Sequence, residues 1–337
     1  MPATIRFGSA PDSSRVDRVT IENGGVTASL MTWGASLQDL RLGGVAHSLV
    51  LGSPDFAPYL GPMRFFGANV GRAANRIAGG RAPLDGRVVE LERNEKDKTT
   101  LHGGSGGSGT ANWRIEGHDA ASVRMAIRLA DGAGGFPGNL DLVATYRLLD
   151  DGALDLEIEG RTDAPTFCNP AHHSYWNLDG STDLSSHVMR VAADSYLPID
   201  ADKIPLGAPA PVEGTRFDFR SSRPVVKDGD APLDHNLWLA DGRGPLRHVS
   251  RLEAGELMLD IATTEPGLQV YDGANIATGD HPTHSGRPYG RHAGLALEPQ
   301  CPPDAPNQAG YPSILLMPGQ IYRQHSCFHV RRRRQSF

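Results

Sequence analysis

Short runs in which apolar and polar residues alternate recur along the chain. In the segment LDLEIEG, Leu154, Leu156 and Ile158 fall on one face and the acidic residues between them on the other. The segment VRMAIRLA, residues 123–130, has the same two-residue period. Because successive side chains of a strand point to opposite faces, this pattern predicts half-buried β-strands.

Turn-forming residues separate these runs. Gly and Pro account for 40 and 25 of the 337 residues, and Asp150-Asp151-Gly152 joins two strand patterns in a predicted hairpin. No long segment keeps a helical period, and strands do not alternate with helices, which argues against a parallel α/β sheet. The sequence therefore predicts an all-β protein with few helices: a large antiparallel β-sandwich that forms a single domain over residues 1–337.

The charge of the chain argues against a nucleic-acid or membrane partner. A net charge of −6 provides no basic surface for a polyanion. No apolar run approaches the ~18 residues of a membrane helix, and the N-terminal segment lacks the apolar core of a signal peptide. The one basic run, Arg331 to Arg334, predicts a solvated basic tail over residues 331–337.

Cysteine usage indicates a reducing compartment. Cys168, Cys301 and Cys327 are odd in number and widely spaced, and no CxxC motif occurs. This pattern is typical of free thiols and argues against disulfides and a structural zinc site. We therefore expect a cytoplasmic protein, and we expect it to be a monomer or a homodimer.

Two motif matches in the glycine-rich segment LHGGSGGSGTANW lack the structural context that their functions require. Residues 104–109 fit the dinucleotide pattern GxGxxG, and residues 103–107 fit the nucleophile pattern GxSxG. Both motifs must lead into a helix, whereas the following ANWRIEG predicts a strand. We interpret the segment as a flexible loop, and we expect no cofactor.

Two further groups of candidate residues are also set aside. His281, His284 and His292 are separated by Pro, Gly and Ser, so no rigid element fixes their spacing for a metal. We expect an exposed loop whose histidines bind no metal. Cys168 lies four residues before His172, but a buried cysteine is usually a small apolar core residue rather than a nucleophile.

Polar residues with aromatic neighbours recur in five segments between the strand patterns. These are GANVGRAANRIAGG (67–80), TTLHGG (99–104), NPAHHSYWNLDG (169–180), PLDHNLWL (232–239) and GLALEPQ (294–300). In a β domain, segments this far apart in sequence can meet on one concave face. Together they provide the paired hydrogen-bonding groups and aromatic faces that suit a sugar.

In order and spacing these segments resemble the aldose 1-epimerases, also called galactose mutarotases. The resemblance extends from about Ser29 to Val330. The segments that carry it are GRAANRIAGG, LHGG followed nine residues later by Trp113, HHSYWNL, LDHNLWL, LQVYDGAN and LALEPQCPPDAPNQ. It implies an antiparallel supersandwich with an open cleft, a free aldohexose or aldopentose as substrate, and no cofactor.

The resemblance also implies roles for individual residues. His173, which directly precedes Ser-Tyr, matches the catalytic histidine, and Glu298 of LALEPQ matches the catalytic carboxylate. The residues that match sugar-binding positions are Arg76, His102 and Asp234, with Asn75, Gln269 and Tyr271 as weaker candidates for the pocket wall.

Strand parity separates the two adjacent histidines. If AHHSYWN is extended, His173 shares a face with Tyr175, whereas His172 lies on the opposite face with Trp176. Only one of the two histidines can then face the cleft, and the resemblance implies that it is His173.

Anomer interconversion explains why a histidine and a carboxylate suit such a site. Ring opening removes a proton from the O1 hydroxyl while the ring oxygen O5 gains one, so a base and an acid must flank the same carbon. Glu298 is the expected base and protonated His173 the expected acid. A carboxylate raises the pKa of a neighbouring histidine and an imidazolium lowers that of a carboxylate, so we expect each group to favour the charged form of the other.

Three other functions of the same type of fold are alternatives to anomer interconversion. A non-catalytic sugar-binding protein would not need both His173 and Glu298. A polysaccharide lyase would usually have a longer chain and a secretion signal. A hexose-phosphate epimerase would need an additional basic cluster at the rim of the cleft, which the sequence does not locate.

One segment departs from the family pattern. Family members usually carry Gly-Phe-Asp after HGG, whereas this chain has Gly107-Ser108-Gly109. Without the aromatic residue and the carboxylate, we expect a looser loop beside His102 and a less apolar cleft wall. The preferred sugar therefore stays open.

Overall fold

The computed structural model describes residues 3–333, which form strands and connecting turns almost throughout. The strands in chain order are β1 Ile5–Ser9, β2 Arg15–Asn23, β3 Val26–Met31, β4 Ser36–Leu42, β5 Asn69–Val70, β6 Arg76–Ile77, β7 Arg81–Leu84, β8 Arg87–Glu90, β9 Thr100–Leu101, β10 Arg114–His118, β11 Ser122–Leu129, β12 Leu140–Leu148, β13 Leu154–Thr162, β14 Thr166–Phe167, β15 Ala171–His172, β16 Tyr175–Trp176, β17 Val188–Val191, β18 Ser195–Tyr196, β19 Ala210–Pro211, β20 Arg223–Pro224, β21 Asp234–Trp238, β22 Arg247–Ala254, β23 Leu257–Thr263, β24 Gly267–Tyr271, β25 Leu295–Gln300, β26 Leu315–Leu316 and β27 Tyr322–Arg332.

The helical elements of the described residues are short 3₁₀ turns. They are Ala57–Leu60, Ala78–Gly80, Ser108–Thr110, Ala133–Gly135 and Ala305–Asn307. Within residues 3–333, no helix has the length and apolar character needed to cross a bilayer.

Two large sheets organise the fold. The first has nine strands in the order β10-β11-β12-β13-β27-β23-β22-β17-β20, and the second has six in the order β16-β25-β24-β21-β18-β19. Neighbouring strands in both sheets run antiparallel. A four-stranded sheet, β1-β2-β3-β4, and the pairs β5-β15, β6-β9, β7-β8 and β14-β26 complete the strand pairing.

The two large sheets pack against each other through their apolar faces. Leu156 of β13 and Val270 of β24 belong to one buried cluster. Trp176 of β16 stacks on Phe328 of β27 with ring centroids 5.6 Å apart. Removing this apolar surface from water provides the main stabilising term, about 25 cal/mol per Å² buried. The predicted all-β antiparallel sandwich is confirmed.

The hairpin that the sequence predicts joins β12 to β13. Gly152 has φ +82° in its turn and donates its N–H to the carbonyl of Leu149 at 2.9 Å. Leu154 and Leu156 point into the core, while Glu157 between the apolar positions is partly exposed. The alternation of apolar and acidic residues therefore has the predicted structural meaning.

The basic C-terminal run begins inside a strand, so the predicted tail is wrong at its first residues, although Arg331 and Arg332 are exposed to solvent as predicted. β27 pairs with β23 as far as Arg332. Arg331 donates to Asp260 at 2.5 Å, and Arg332 forms an ion pair with Glu256. The backbone ladder and the carboxylates on the neighbouring strands hold these arginines in place. The end of the predicted tail, residues 334–337, lies outside the described residues.

Candidate active site

One face of the six-stranded sheet presents four of the predicted site residues. Gln269 of β24 is in register with Glu298 of β25, and Tyr271 of β24 is in register with Asp234 of β21. Leu297, next to Glu298, belongs to the core. Since alternate residues of a strand point to opposite faces, packing Leu297 into the core turns Glu298 towards the cleft.

A second wall of the cleft comes from β6 and the turn after β9. The backbone N–H of His102 donates to the carbonyl of Asn75 at 2.9 Å, and the N–H of Asn75 donates to Nδ1 of His102 at 3.1 Å. Because Nδ1 accepts this bond, the neutral ring carries its proton on Nε2. Burial, and then the repulsion that a charged His102 would meet from His173 and Arg76, lower the pKa of His102 well below its ordinary value. His102 is therefore a neutral hydrogen-bond donor.

The two adjacent histidines lie on opposite sides of the chain, as strand parity predicts. His172 points into the core, where its Nδ1 is 3.3 Å from the hydroxyl of Tyr146 and its Nε2 is 2.8 Å from Oγ of Ser174. His173 points into the cleft, where its Nε2 is 3.6 Å from Oε1 of Glu298. The structure thus brings the predicted acid and base together.

Burial controls the protonation of this pair. The side chains of His173 and Glu298 are only 7% and 3% exposed. Burial raises the pKa of Glu298 well above its usual range; Asp234 raises it further, and Arg76 opposes the rise. Burial also lowers the pKa of His173 to about 4, against the upward effects of its own backbone and of Asp234.

These directions correct the expected mutual stabilisation of charges. Taking a carboxylate and an imidazolium out of water costs more than their attraction restores. Both shifts therefore favour the neutral forms, an imidazole at His173 and a carboxylic acid at Glu298.

Polar partners hold the predicted sugar-binding residues in place. Arg76 donates from Nε and Nη2 to the two carboxylate oxygens of Glu95, both at 2.7 Å. Asp234 forms an ion pair with Lys203 and accepts a 2.8 Å hydrogen bond from Nε2 of Gln269. A bidentate pair fixes the plane of a guanidinium as well as its position.

The site residues surround a cavity of about 180 Å³, a volume suited to one sugar ring. The lining residues are Phe65, Asn75, Arg76, Leu101, His102, His173, Tyr175, Lys203, Asp234, Tyr271, Asn275 and Glu298. All predicted site residues except Gln269 are among them, and Gln269 lies behind Asp234 as its hydrogen-bond donor. We call this space the sugar cavity.

Several residues of the site were not predicted from the sequence. Phe65 forms an aromatic wall, with its ring 4.9 Å from that of His102. Lys203 and Asn275 line the cavity from turns, where no periodic pattern marks them, and Glu95 acts only through Arg76. The rarity of lysine, which occurs four times in the chain, is the one sequence signal that could have drawn attention to Lys203.

The glycine-rich loop after His102 is packed, so the predicted flexible loop is wrong. Oγ of Ser108 donates to the carbonyl of Asn69 at 2.7 Å. A Cβ atom at Gly107 would lie 2.4 Å from the carbonyl oxygen of His102, so glycine permits a close backbone approach here. Phe65, from a different segment, keeps the cleft wall apolar. The expected loosening and loss of apolar wall therefore do not occur.

The loop with three further histidines is only partly exposed, which corrects another expectation. His281 is exposed, but His284 and His292 are partly buried. A ring nitrogen of His284 lies 2.9 Å from the carbonyl of Gln38, and one of His292 lies 2.9 Å from the carbonyl of Asp272. These two side chains tie the loop to neighbouring main chain.

The cysteines are unpaired, and Cys168 lies in the core. Cys168 and Cys301 are buried, and Cys327 is partly exposed. Burial raises the pKa of the Cys168 thiol to about 12, so it stays protonated at neutral pH. A thiol of this kind is a poor nucleophile, as predicted for a core residue.

One group of side chains outside the cleft has the spacing of metal ligands. Ligand atoms of Asp155, Glu157 and His325 lie within 4.8 Å of one another on the outer face of the nine-stranded sheet. Arg147 lies 3.3 Å from Glu157 and 3.7 Å from Asp155. Since an arginine already compensates these carboxylates, the group is better described as a surface ion-pair network.

Comparisons with known sequences bear on the whole chain. A family profile described as aldose 1-epimerase matches residues 17–329. The galactose mutarotase of Rattus norvegicus is 35% identical over 334 residues, which cover 96% of each chain. The aldose 1-epimerase of Escherichia coli (strain K12) is 35% identical over 331 residues, covering 93% of this chain and 94% of that one.

Solved structures agree with the sequence comparisons. A GalM/aldose epimerase homologue from C. elegans has a TM-score of 0.86 at 29% identity, covering 94% of this chain and 99% of that one. Galactose 1-epimerase from Lactobacillus acidophilus NCFM has a TM-score of 0.85 at 26% identity, covering 98% and 99%. The resemblance inferred from the motifs is confirmed: the chain belongs to the aldose 1-epimerase family.

Proposed function

We propose that this protein is a mutarotase that interconverts the α and β anomers of an aldose, with Glu298 as the base and His173 as the acid. The observation that carries the proposal is the 3.6 Å between Nε2 of His173 and Oε1 of Glu298 in a cavity suited to one sugar ring. Because O1 and O5 are bonded to the same carbon, two groups this close can reach both oxygens at once.

The protonation of the pair suits the ring-opened sugar. In ring opening, the Glu298 carboxylate takes the O1 proton and the His173 imidazolium gives its proton to O5. The C1–O5 bond breaks as C1–O1 becomes a carbonyl. The pair is then a neutral acid beside a neutral imidazole, which is the form that burial favours. After rotation about C1–C2, the reverse transfers close the ring on the other face.

Arg76 favours the charged form of the pair that starts this cycle. It opposes the rise in the pKa of Glu298, whereas Asp234 raises the pKa of both Glu298 and His173. Arg76 thus lowers the cost of moving one proton from Glu298 to His173. It therefore has an electrostatic role in addition to binding hydroxyls.

The remaining polar groups are suited to holding the ring. His102 offers a neutral Nε2–H, Arg76 is oriented by Glu95, and Asp234 is oriented by Lys203 and Gln269. Groups that are held before the sugar arrives lose little freedom on binding, and fixing C1 between the acid and the base supplies the proximity part of the rate enhancement. A non-catalytic sugar-binding protein would have no need to place His173 against Glu298.

Polarimetry on freshly dissolved α-glucose, α-galactose and an arabinose tests the proposal. We expect the protein to accelerate the approach to equilibrium rotation for at least one sugar. Glu298→Gln and His173→Asn should each lower the catalysed rate by ~10²–10⁴-fold, the usual value of general acid–base catalysis.

Two surface substitutions provide matched controls. The side chains of His248 and Glu256 are 54% and 66% exposed, and neither residue lines the sugar cavity. His248→Asn and Glu256→Gln should keep the wild-type rate. A wild-type rate in His173→Asn or Glu298→Gln would refute the assigned roles, and no acceleration with any free aldose would favour a sugar-binding protein.

A further inference from the structure

A second cavity adjoins the sugar cavity. It measures about 210 Å³ and shares Arg76, Lys203 and Asn275 with the sugar cavity. We call it the vestibule; its other lining residues are Glu95, Lys96, Lys98, Thr99, Ala201 and Asp202. His173 and Glu298 line only the sugar cavity, so a ring with C1 between them has its remote side nearer the vestibule.

The vestibule concentrates a residue type that the chain otherwise avoids. The 33 basic residues include only four lysines, at positions 96, 98, 203 and 227. Lys96, Lys98 and Lys203 line the vestibule, whereas Lys227 does not. With Arg76, they give its lining two more positive charges than negative ones.

The carboxylates of the vestibule already have partners. Glu95 accepts two hydrogen bonds from Arg76 and a third from the hydroxyl of Thr99 at 2.7 Å. Asp202 accepts two from Nζ of Lys98, at 2.8 and 2.9 Å. Each carboxylate is therefore already compensated by a cation of the same lining.

Ammonium donors, in contrast, remain available. An ammonium group has three N–H donors and no acceptor. Lys203 donates to Asp234, which leaves two of its donors for a ligand. Lys96 is exposed and forms no ion pair with any of residues 3–333. The lining thus has a surplus of cationic donors, which a group made of acceptors would satisfy.

We propose that the vestibule binds an anionic group, a carboxylate or a phosphate, that the sugar carries on the side of the ring remote from C1. This inference rests on the proposed mutarotase function of the sugar cavity. Lys96 and Lys203 donate to the anion, and the cavity of about 210 Å³ has room for it without displacing the ring from His173 and Glu298. The preferred substrates are then uronic acids or sugar phosphates rather than neutral hexoses.

Anomer exchange measured by NMR saturation transfer tests this preference at equilibrium. Glucose and galactose are compared with glucuronate and galacturonate, and with the two hexose 6-phosphates. At low ionic strength, kcat/KM for at least one charged class should exceed that of its neutral parent about tenfold, the usual strength of charge-assisted hydrogen bonds. Added salt should reduce the difference. Which class gains identifies the anion as carboxylate or phosphate.

Lysine variants locate the effect. Lys96→Gln should lower kcat/KM for the charged sugar about threefold to fivefold, as for a partly exposed charge pair, and leave the neutral sugar unchanged. Lys227→Gln, at the one lysine outside the vestibule, should change neither. An equal effect of Lys96→Gln on both sugars would overturn the proposal.

The exchange rates of the six sugars distinguish failure of the vestibule proposal from failure of the proposed mutarotase function. Neutral sugars that exchange as fast as both charged classes, or faster, would overturn the vestibule proposal and leave the mutarotase function intact. Absence of catalysed exchange for all six sugars would overturn the proposed function and, with it, the vestibule proposal.

Discussion

His172 and His173 are neighbours in the sequence and differ in nearly everything except burial. Both are almost fully buried, and burial lowers the pKa of His172 to about 3 and that of His173 to about 4. The ring nitrogens of His172 have the hydroxyls of Tyr146 and Ser174 as partners. His173 instead lines the sugar cavity, with Glu298 3.6 Å away.

This contrast shows that neither residue type nor a lowered pKa identifies the functional histidine. Removal from water lowers the pKa of any buried imidazole. What distinguishes His173 is its access to a cavity and to a titratable partner. What distinguishes His172 is that its hydrogen bonds are made within the core, so its loss should affect folding rather than chemistry.

Matched substitutions should separate these roles with the largest effect. His173→Asn should lower the catalysed rate by ~10²–10⁴-fold, because the acid is lost, while its free energy of unfolding changes little. His172→Asn should keep catalysis but lower the free energy of unfolding by about 1–3 kcal/mol, because it disrupts buried hydrogen bonds. Polarimetry and urea denaturation on the same two samples measure both quantities.

The separate roles of His172 and His173 would be contradicted if His172→Asn and His173→Asn had the same effects. Equal loss of activity would mean that His172 also acts on the sugar or that the chain around both residues is displaced. Retained activity in His173→Asn would remove its proposed role. Near-ultraviolet circular dichroism of each variant checks that the aromatic packing around Trp176 and Phe328 is preserved.

The second-largest effect that we expect is the change of kcat/KM with pH. The pair works when it holds one proton. Below the His173 pKa of about 4, His173 is protonated while Glu298 also keeps its proton. The pair then holds two protons, and no base remains. The rate, corrected for uncatalysed mutarotation, should therefore fall about tenfold per pH unit below about pH 4. On the alkaline side it should fall once Glu298 loses its proton.

Titration of the His173 ring itself decides between two views of the pair. If Glu298 held His173 in its charged form, as expected from sequence alone, the histidine would titrate above its ordinary value of about 6.5, and the acid limb of kcat/KM would then belong to Glu298. A nitrogen NMR titration in which His173 gains its proton near pH 4 supports the dominance of burial. His172→Asn should leave the acid limb of kcat/KM in place, because His172 does not line the sugar cavity.

The sequence predicted the side chains of the site better than their electrostatics. Strand alternation is local, so it correctly placed His173 opposite His172, and the family motif identified Glu298 without it. Depth of burial depends on how several sheets pack, and no local pattern encodes it. The pKa directions of Glu298 and His173 were therefore expected with the wrong sign.

Residues outside the strand patterns and the family motifs were the ones missed. Glu95 and Lys203 contact Arg76 and Asp234 from turns, where no period exists, and they match none of the motifs that carried the resemblance. The glycine-rich loop was misjudged for a related reason. Flexibility was inferred from composition, but the close approach of Gly107 to neighbouring main chain shows only in three dimensions.

The dependence of stability on pH should sharpen the contrast between the histidines. An unfolded histidine binds a proton near pH 6.5, whereas folded His172 does so only near pH 3. The unfolded state therefore holds more protons in this window, and the free energy of unfolding falls as pH drops from about 6.5 towards about 3. In His172→Asn this fall should be less steep by about 1.4 kcal/mol per pH unit.

The same measurement on His173→Asn provides the comparison. The contribution of His173 to the fall in the free energy of unfolding should end near pH 4, about one pH unit above the point where the contribution of His172 ends. Urea denaturation at intervals between pH 7 and pH 3.5 measures both slopes. Slopes equal to that of the wild type in both variants would contradict the burial of neutral imidazoles as the cause of the pKa shifts.

The smallest expected effect concerns the support of Arg76. Glu95→Gln removes the charge that fixes the Arg76 guanidinium, and a freer side chain should raise KM about threefold to tenfold with a smaller change in kcat. Glu90→Gln is the matched control, because Glu90 pairs with Arg81 at the surface, where both side chains are more than 60% exposed. It should leave KM unchanged, since exposed pairs contribute little. If both variants gave the same KM, the bidentate ion pair between Arg76 and Glu95 would contribute no more to sugar binding than the exposed ion pair between Arg81 and Glu90.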